Sequence, residues 1–264
     1  MGNLKRDNHY VPACYQRSFA DSSGKIWVKE AGKLKPEPRN PRKIGRQRSF
    51  YVRTQNGVET DNLEAYFESI ETPFAALLQR IDEEMDGFRE ISTPEKFALG
   101  GFVATQAVRT LAHKQCVDEQ VGIEVNRDVF TRVLLKDVRT IFESWTKRVP
   151  TFCFYTSLPN IGQHFITGDH PVVPIIDIGG AVFTPYHTPT RSIISLRAIL
   201  DNPKHGFLLA LSPYMMVSVQ GHSGGSALLP PKKLEPFEVK SFNDLVRGQC
   251  NLFLLAKDAE DIRN

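Results

Sequence analysis

The residues with chemical potential begin at the N-terminus, where Asn8-His9-Tyr10-Val11-Pro12 leads through Arg17 to Phe19-Ala20-Asp21. Terminal segments ordinarily fray as solvated polar chain. This one is dense in rings and reads as a segment docked into the body of the protein. Histidine is the one side chain whose ordinary pKa lies near neutrality, so His9 is a candidate acid/base group. Next comes a stripe of carboxylates, Glu64, Glu68 and Glu71, whose spacing puts them on one helix face. Like charges repel there, so the stripe is either a solvated acidic face or a metal or acid/base site. Gln106, Arg109 and His113 form a polar stripe on a segment otherwise suited to burial. A buried arginine needs a carboxylate or phosphate partner, and Glu71 and Asp169 are the candidate carboxylates. An interhelical ion pair competes with a phosphate site as the reading. Thr167-Gly168-Asp169-His170-Pro171 ends an apolar strand, where polar groups serve active sites or cap turns. Finally, Lys33, Lys35, Arg39, Arg42, Lys43, Arg46, Arg48 and Arg53 are faced by a single acid, Glu37, with Phe50 and Tyr51 alongside. Such a segment can track phosphates and stack bases, or stand as a solvated basic loop.

The whole chain is near neutral, with a formal charge of +3 over 264 residues, so that basic run is local charge segregation. Apolar content of 41% and charged content of 24% are ordinary for a globular protein. Cys14, Cys116, Cys153 and Cys250 are too scattered for a zinc ribbon or a disulfide framework, which suits a reducing compartment. The first residues lack the apolar stretch of a secretory signal, and no apolar run is long enough to span a bilayer. A cytoplasmic protein without membrane attachment is expected. No Walker loop or zincin motif is present. The Gly221-His222-Ser223-Gly224-Gly225-Ser226 loop is not followed by a helix that could hold a phosphate.

Three helices must carry most of these groups. The apolar positions Leu63, Phe67, Ile70, Phe74, Leu77, Leu78 and Ile81 predict a helix capped by Asp61 or Asn62, with a kink or break at Pro73. Ser92-Thr93-Pro94-Glu95 opens a second, running to about Cys116 with a face of small residues. A third spans about Asp118 to Lys147, with Val121, Val125, Val129, Val133, Val138, Ile141, Phe142 and Trp145 as its stripe. Upstream, Lys25–Val28 and Phe50–Val52 read as strands and 31–49 as a loop. After Pro150 come short strands at 151–155, 163–167, 172–173, 207–211 and 215–219, then a closing helix from about Ser241 to Lys257. The expected fold class is α+β: a central helical bundle, an N-terminal β-rich segment, and a C-terminal antiparallel sheet plus terminal helix. It forms a single domain of two lobes, 1–147 mainly helical and 148–264 mainly β.

Several of these pieces, taken in order, resemble domain-of-unknown-function family 4238. They are Asn8 to Pro12 with Arg17 and Phe19, Leu63-Glu64 with Ile70-Glu71, Gln106 with Arg109-Thr110, Ile166 to Pro171, Leu211-Ser212-Pro213 and Asn243. The family start is often His-His-Tyr/Phe-Val-Pro, and Asn8 replaces the first histidine. Where the family tends to have Ser-Asp-Asn-Pro, this chain has Gly168-Asp169-His170-Pro171. The resemblance implies roles for His9, Glu71, Arg109, Asp169 and Asn243. Because some bacterial members are linked to antiviral defence, it also implies a nucleic-acid- or nucleotide-directed toxin. The expected function is a bacterial antiviral-defence effector, a nuclease acting on RNA. His9 serves as general acid/base, Glu71 and Asp169 orient it or hold a divalent metal, and Arg109 binds the scissile phosphate. Asn8, Arg17, Gln106, His113, His170, Asn243, Arg42, Lys43, Arg46 and Arg48 are the expected substrate contacts. The alternatives are a nucleotide- or NAD-consuming hydrolase and a non-enzymatic sensor triggered by a phage component.

Overall fold

The computed structural model describes residues 7–55, 58–60, 62–84, 91–147, 151–157, 163–178, 181–183, 205–220 and 231–263. The expected Asp61 cap, the 221–226 loop, and the side chains of Phe142 and Trp145 lie outside them. The fold is α+β. Helix α1 (Ala13–Arg17) is short, and α2 (Asn62–Glu83) runs unbroken through Pro73. An interior proline costs a helix about 3 kcal/mol. Here the helix buries Leu63, Phe67, Phe74, Leu77, Leu78 and Ile81, which more than offsets that penalty.

Helix α3 (Thr93–Val108) starts where the Glu95 carboxylate accepts the Ser92 N–H at 2.7 Å, and it is buried on all sides from Ala98 to Val108. Its small residues let α2 approach until Phe74 stacks on Phe102, with centroids 3.7 Å apart and planes 11° apart. The expectation of one helix to Cys116 is corrected. The chain leaves helical geometry at Arg109, and α4 (Leu111–Val121) restarts from Thr110, whose hydroxyl accepts the His113 N–H at 3.1 Å. Nor does a helix begin near Asp118: Gly122 takes a left-handed conformation at φ 74° and ends α4, and α5 (Arg127–Lys147) follows.

One sheet holds β7 (Thr151–Thr156), β9 (Val172–Ile178), β10 (Ala181–Phe183), β11 (Gly206–Ser212), β12 (Met215–Gln220) and β13 (Lys232–Lys233), in the order β10-β9-β11-β12-β7-β13. It is antiparallel except where β13 joins β7 in parallel. A second sheet unites the two ends of the chain. β2 (Ile26–Glu30), β3 (Glu37–Arg39), β8 (Thr167–Gly168) and β14 (Phe253–Ala256) pair in the order β3-β2-β14-β8. This corrects the closing helix: α6 spans Pro236–Gln249, and Phe253–Ala256 is a strand against β2. The expected strand at Gln163–Thr167 shrinks to Thr167–Gly168 because the Asn243 side chain takes over the backbone, accepting the Ile166 N–H at 3.1 Å and donating to the His164 carbonyl at 2.8 Å. The segment 31–49 is more ordered than a loop, holding β3, a 3-10 turn at Pro41–Lys43 and β4 (Arg46–Arg48). Phe50–Val52 is a turn rather than a strand, followed by the hairpin β5 (Arg53–Gln55) and β6 (Val58–Thr60).

Helix α1 ties the sheets together. The Tyr15 hydroxyl donates to the Ala210 carbonyl and accepts from the Thr167 hydroxyl, both at 2.8 Å, while the Ser18 hydroxyl reaches the Leu211 carbonyl at 2.7 Å. No helix among the described residues is long and apolar enough to cross a membrane. Because Phe102 fills the close approach between α2 and α3, Phe102→Ala is expected to destabilise the protein by about 3–5 kcal/mol, read as a lower urea midpoint at unchanged slope.

Candidate functional site

Strand β1 (Asp7–His9) pairs with β4, placing Asp7 opposite Arg48, Asn8 opposite Gln47 and His9 opposite Arg46. Successive side chains alternate between faces, so Asn8 points inward while Asp7 and His9 share a face with Arg46 and Arg48. Each of the next residues is held by a different polar partner. Asn8, fully buried, donates to Glu64 Oε1 at 2.8 Å and accepts the Tyr51 N–H at 3.2 Å. The Tyr10 carbonyl accepts from Gln106 at 2.7 Å, and the Val11 carbonyl accepts from Gln16 at 2.7 Å. The Gly45 carbonyl accepts the N–H groups of Tyr10 and Val11 at 2.8 and 3.1 Å. Gly45 sits at φ 62°, and a Cβ there would come within 2.8 Å of the Val11 Cβ, so glycine is required.

Arg109 closes this arrangement from the end of α3. Only 2% exposed, its guanidinium donates through Nε to the Tyr51 hydroxyl at 2.8 Å, through one terminal nitrogen to Glu71, and through the other to the His9 backbone carbonyl. The Phe67 ring lies 4.1 Å and the Tyr51 ring 5.0 Å from the guanidinium carbon, so the charge is also held against aromatic faces. Burial alone would lower the guanidinium pKa, but Tyr51 and Glu71 outweigh it and the pKa is raised. The carboxylate stripe therefore splits by use: Glu64 holds Asn8, Glu71 holds Arg109, and Glu68 is exposed.

The His9 ring is half-buried, with Nε2 3.1 Å from the Arg42 carbonyl. A carbonyl only accepts, so Nε2 carries the proton and the lone pair of the neutral ring lies on Nδ1. Burial first, then the Arg109 charge, lowers the His9 pKa against the opposing pull of the Arg42 carbonyl and the two glutamates. Arg42, Lys43, Arg46 and Arg48 are all exposed around it. The basic run is less uniform than its residues suggest. Lys33 and Arg39 are neutralised by Glu30 as well as Glu37, and Arg46 pairs with Asp7 at 2.9 Å. Beyond the Arg48 end of the ribbon opens a cleft of about 570 Å³, lined by Arg48, Ser49, Phe50, Lys114, Asn126 and Arg127.

The other expected site residues serve different places. Asp169 accepts the backbone N–H groups of Asn251, Leu252 and Phe253 at 3.2–3.4 Å, which fixes the approach to β14. Burial raises its pKa against those bonds. Gly168 beside it has no room for a Cβ, which would meet Cys250 Sγ at 2.4 Å and the Phe253 carbonyl at 2.5 Å. Among the described residues, Glu71 and Asp169 do not meet in a group of three metal-ligating side chains. His170 is fully buried, and burial lowers its pKa to about 4. His113 links α4 to α5 through Asp137 at 3.1 Å, Asn243 braces 164–166, and Arg17 lines a separate cleft with Cys14 and Lys257. Of the expected residues, the structure thus gathers Asn8, His9, Glu71, Gln106 and Arg109 with the ribbon cations. It adds Gly45, Tyr51, Glu64 and Phe67, of which Glu64 and Phe67 carry a spacing signal, one in the carboxylate stripe and the other in the apolar stripe of α2.

These features define an α+β protein whose N-terminal strand is stitched from within and presents a histidine among cations without. The chain belongs to the family described as Protein of unknown function (DUF4238), whose model matches residues 7–260. No curated protein and no solved structure matches it.

Removing Arg109 leaves the His9 carbonyl and Glu71 without their partner. Arg109→Ala is expected to lower stability by about 3–5 kcal/mol in urea unfolding and to open the N-terminal segment to proteolysis. His170 gives a pH signature. Its folded pKa lies below that of the unfolded chain, so the unfolded state takes up the proton first as pH falls. Stability should be complete above about pH 6.5 and decline toward pH 4, by on the order of 3 kcal/mol. His170→Gln should flatten that decline in urea midpoints measured across the same range.

Proposed function

We propose that this protein is an RNA-cleaving effector of bacterial antiviral defence that acts in the cytoplasm. The observation that carries the reading is the placement of the half-buried, neutral His9 ring on the same ribbon face as Arg46 and Arg48 and against the Arg42 carbonyl. The exposed cations hold the phosphate backbone of a single strand. His9 Nδ1 takes the proton of the 2′-hydroxyl as its oxygen bonds the adjacent phosphorus and the P–O5′ bond breaks, leaving a 2′,3′-cyclic phosphate and a 5′-hydroxyl whose oxygen takes up a proton from water. Arg109 and Glu71 act through His9, since the guanidinium is occupied by protein partners and grips the histidine's own backbone. Phosphate binding therefore falls to the ribbon, with Arg48 and Arg127 continuing it into the cleft. The defence setting and a phage-derived trigger rest on the family resemblance alone.

A second reading, a non-enzymatic sensor that binds nucleic acid on the same ribbon, is favoured by one observation. Asn8 pairs with Glu64 and Arg109 with Glu71, as in a structural brace.

Purified protein with labelled single-stranded RNA separates these readings. Cleavage should fall by about 10²–10⁴-fold in His9→Ala with melting temperature unchanged. Because the base must be unprotonated and its pKa is lowered, wild-type activity should hold from neutrality down past pH 6.5 before declining. Combined Arg42→Glu, Lys43→Glu and Arg48→Glu should weaken RNA binding and shrink its salt dependence, the slope falling by about 0.7 for each phosphate no longer neutralised. RNA that is bound but never cut supports the sensor. Loss of nucleotide or NAD with intact RNA supports a nucleotide hydrolase, and full toxicity of His9→Ala in cells removes His9 from the chemistry.

A further inference from the structure

A second polar cluster forms where the 3-10 turn Ala259–Ile262 meets the segment leading into β8. His164 Nδ1 lies 3.0 Å from Asp261 Oδ2 and 3.2 Å from Asp258 Oδ2. All three ligand atoms fall within 4.8 Å of one another. The cluster is fixed from several sides. The His164 N–H donates to Asp261 Oδ1 at 3.4 Å, and its carbonyl accepts from Asn243 at 2.8 Å. The Tyr214 ring meets the imidazole edge-on at 5.2 Å and 88°. Arg247 holds the Asp261 carbonyl, and the Asp261 side chain is only 5% exposed.

An imidazole nitrogen carries at most one proton, and that proton can point fully at only one acceptor. Here two carboxylates converge on the same nitrogen. A metal ion in their midst meets all three lone pairs at once. Bonds of about 2.1 Å place neighbouring ligand atoms about 3.0 Å apart in octahedral geometry and about 3.4 Å apart in tetrahedral geometry. The separations of 3.0 and 3.2 Å fall in that interval. One imidazole and two carboxylates suit a first-row transition metal better than calcium or magnesium, which favour all-oxygen shells.

We propose that His164, Asp258 and Asp261 bind one divalent first-row transition-metal ion, of the class of Mn²⁺ or Zn²⁺. Three protein ligands leave coordination positions for water, so the site is of the open kind. The His164 ring packs edge-on against Tyr214, which with Lys257 lines the cleft of about 560 Å³ shared with Cys14 and Arg17. The site is independent of the His9 ribbon and stands or falls separately from RNA cleavage.

Calorimetric titration of MnCl₂ and of ZnCl₂ into the untagged, chelator-stripped full chain tests it. The expected result is one ion bound per chain, with a raised melting temperature. The Asp258 side chain is 48% exposed, so Asp258→Asn should keep the metal-free melting temperature while weakening binding by about tenfold or more. His164→Gln keeps a donor toward the carboxylates but removes the nitrogen lone pair, and it should weaken binding as well. Absence of binding by the wild type, or affinities unchanged in both folded variants, overturns the proposal.

Discussion

Taking a guanidinium out of water costs several kcal/mol before any partner is counted, and Arg109 is buried at the junction of α3 and α4. The charge is tolerable only because three elements bring it acceptors. Helix α2 supplies Glu71, the turn after β4 supplies the Tyr51 hydroxyl, and β1 supplies the His9 carbonyl. Each acceptor must be in place for the others to be worth burying. The same residue explains the break between α3 and α4. A continuous helix would carry Arg109 onward in register, whereas the non-helical backbone at φ −89° and ψ 49° sets the side chain at the helix end. The local irregularity and the buried charge are two aspects of one solution.

The arrangement also decides what the surface can do. Arg109 holds the backbone of His9 rather than its ring, so the ring remains on the outward face of β1 with the cations of β4. Strand alternation makes this all or none: a slip of one residue would turn His9 inward and expose Asn8. Register is secured twice on the inner side, by Asn8 against Glu64 and by Gly45 against Tyr10 and Val11. The fold's long-range economy is similar. Strand β14 lies between β2 and β8, so one sheet joins strands far apart in the sequence.

Much of this is legible in the residues, and the failures share a cause. Helical periodicity reveals α2 and the course of α3, and the chemistry of a buried arginine narrows its partner to Glu71 or Asp169, between which only the fold chooses Glu71. The α+β class follows from the same patterns. Phe253–Ala256 reads as helix because a short apolar run fits either period, and its partner β2 lies at the other end of the chain. The α3–α4 break is hidden because apolar spacing continues across it, and only Thr110 as a cap marks the restart. The inner bonds of the N-terminal segment pair residues such as Asn8 and Glu64, which are 56 positions apart. Tyr51 and Gly45 have no spacing signal, since one contributes a hydroxyl and an amide and the other contributes room. In the basic run, Glu30 lies outside the charged stretch it neutralises, so counting charges in a window overstates the exposed cations.

Position 8 shows how a departure from a family pattern can leave the physics intact. In the sequences this chain resembles, the start is often two histidines, and Asn8 stands at the first. The inward side chain here makes one donated bond, to Glu64, and one accepted bond, from the Tyr51 amide. A neutral imidazole also offers one donor and one acceptor, on opposite edges of a ring. Both side chains can therefore bridge a carboxylate and an amide from the same strand position, and neither needs to titrate. The second histidine has no such substitute: an asparagine at position 9 would supply no group that exchanges a proton near neutrality. Strand alternation thus divides the two positions by role. The inner one asks only for matched hydrogen bonds, and in the proposed cleavage the outer one is where an imidazole is needed.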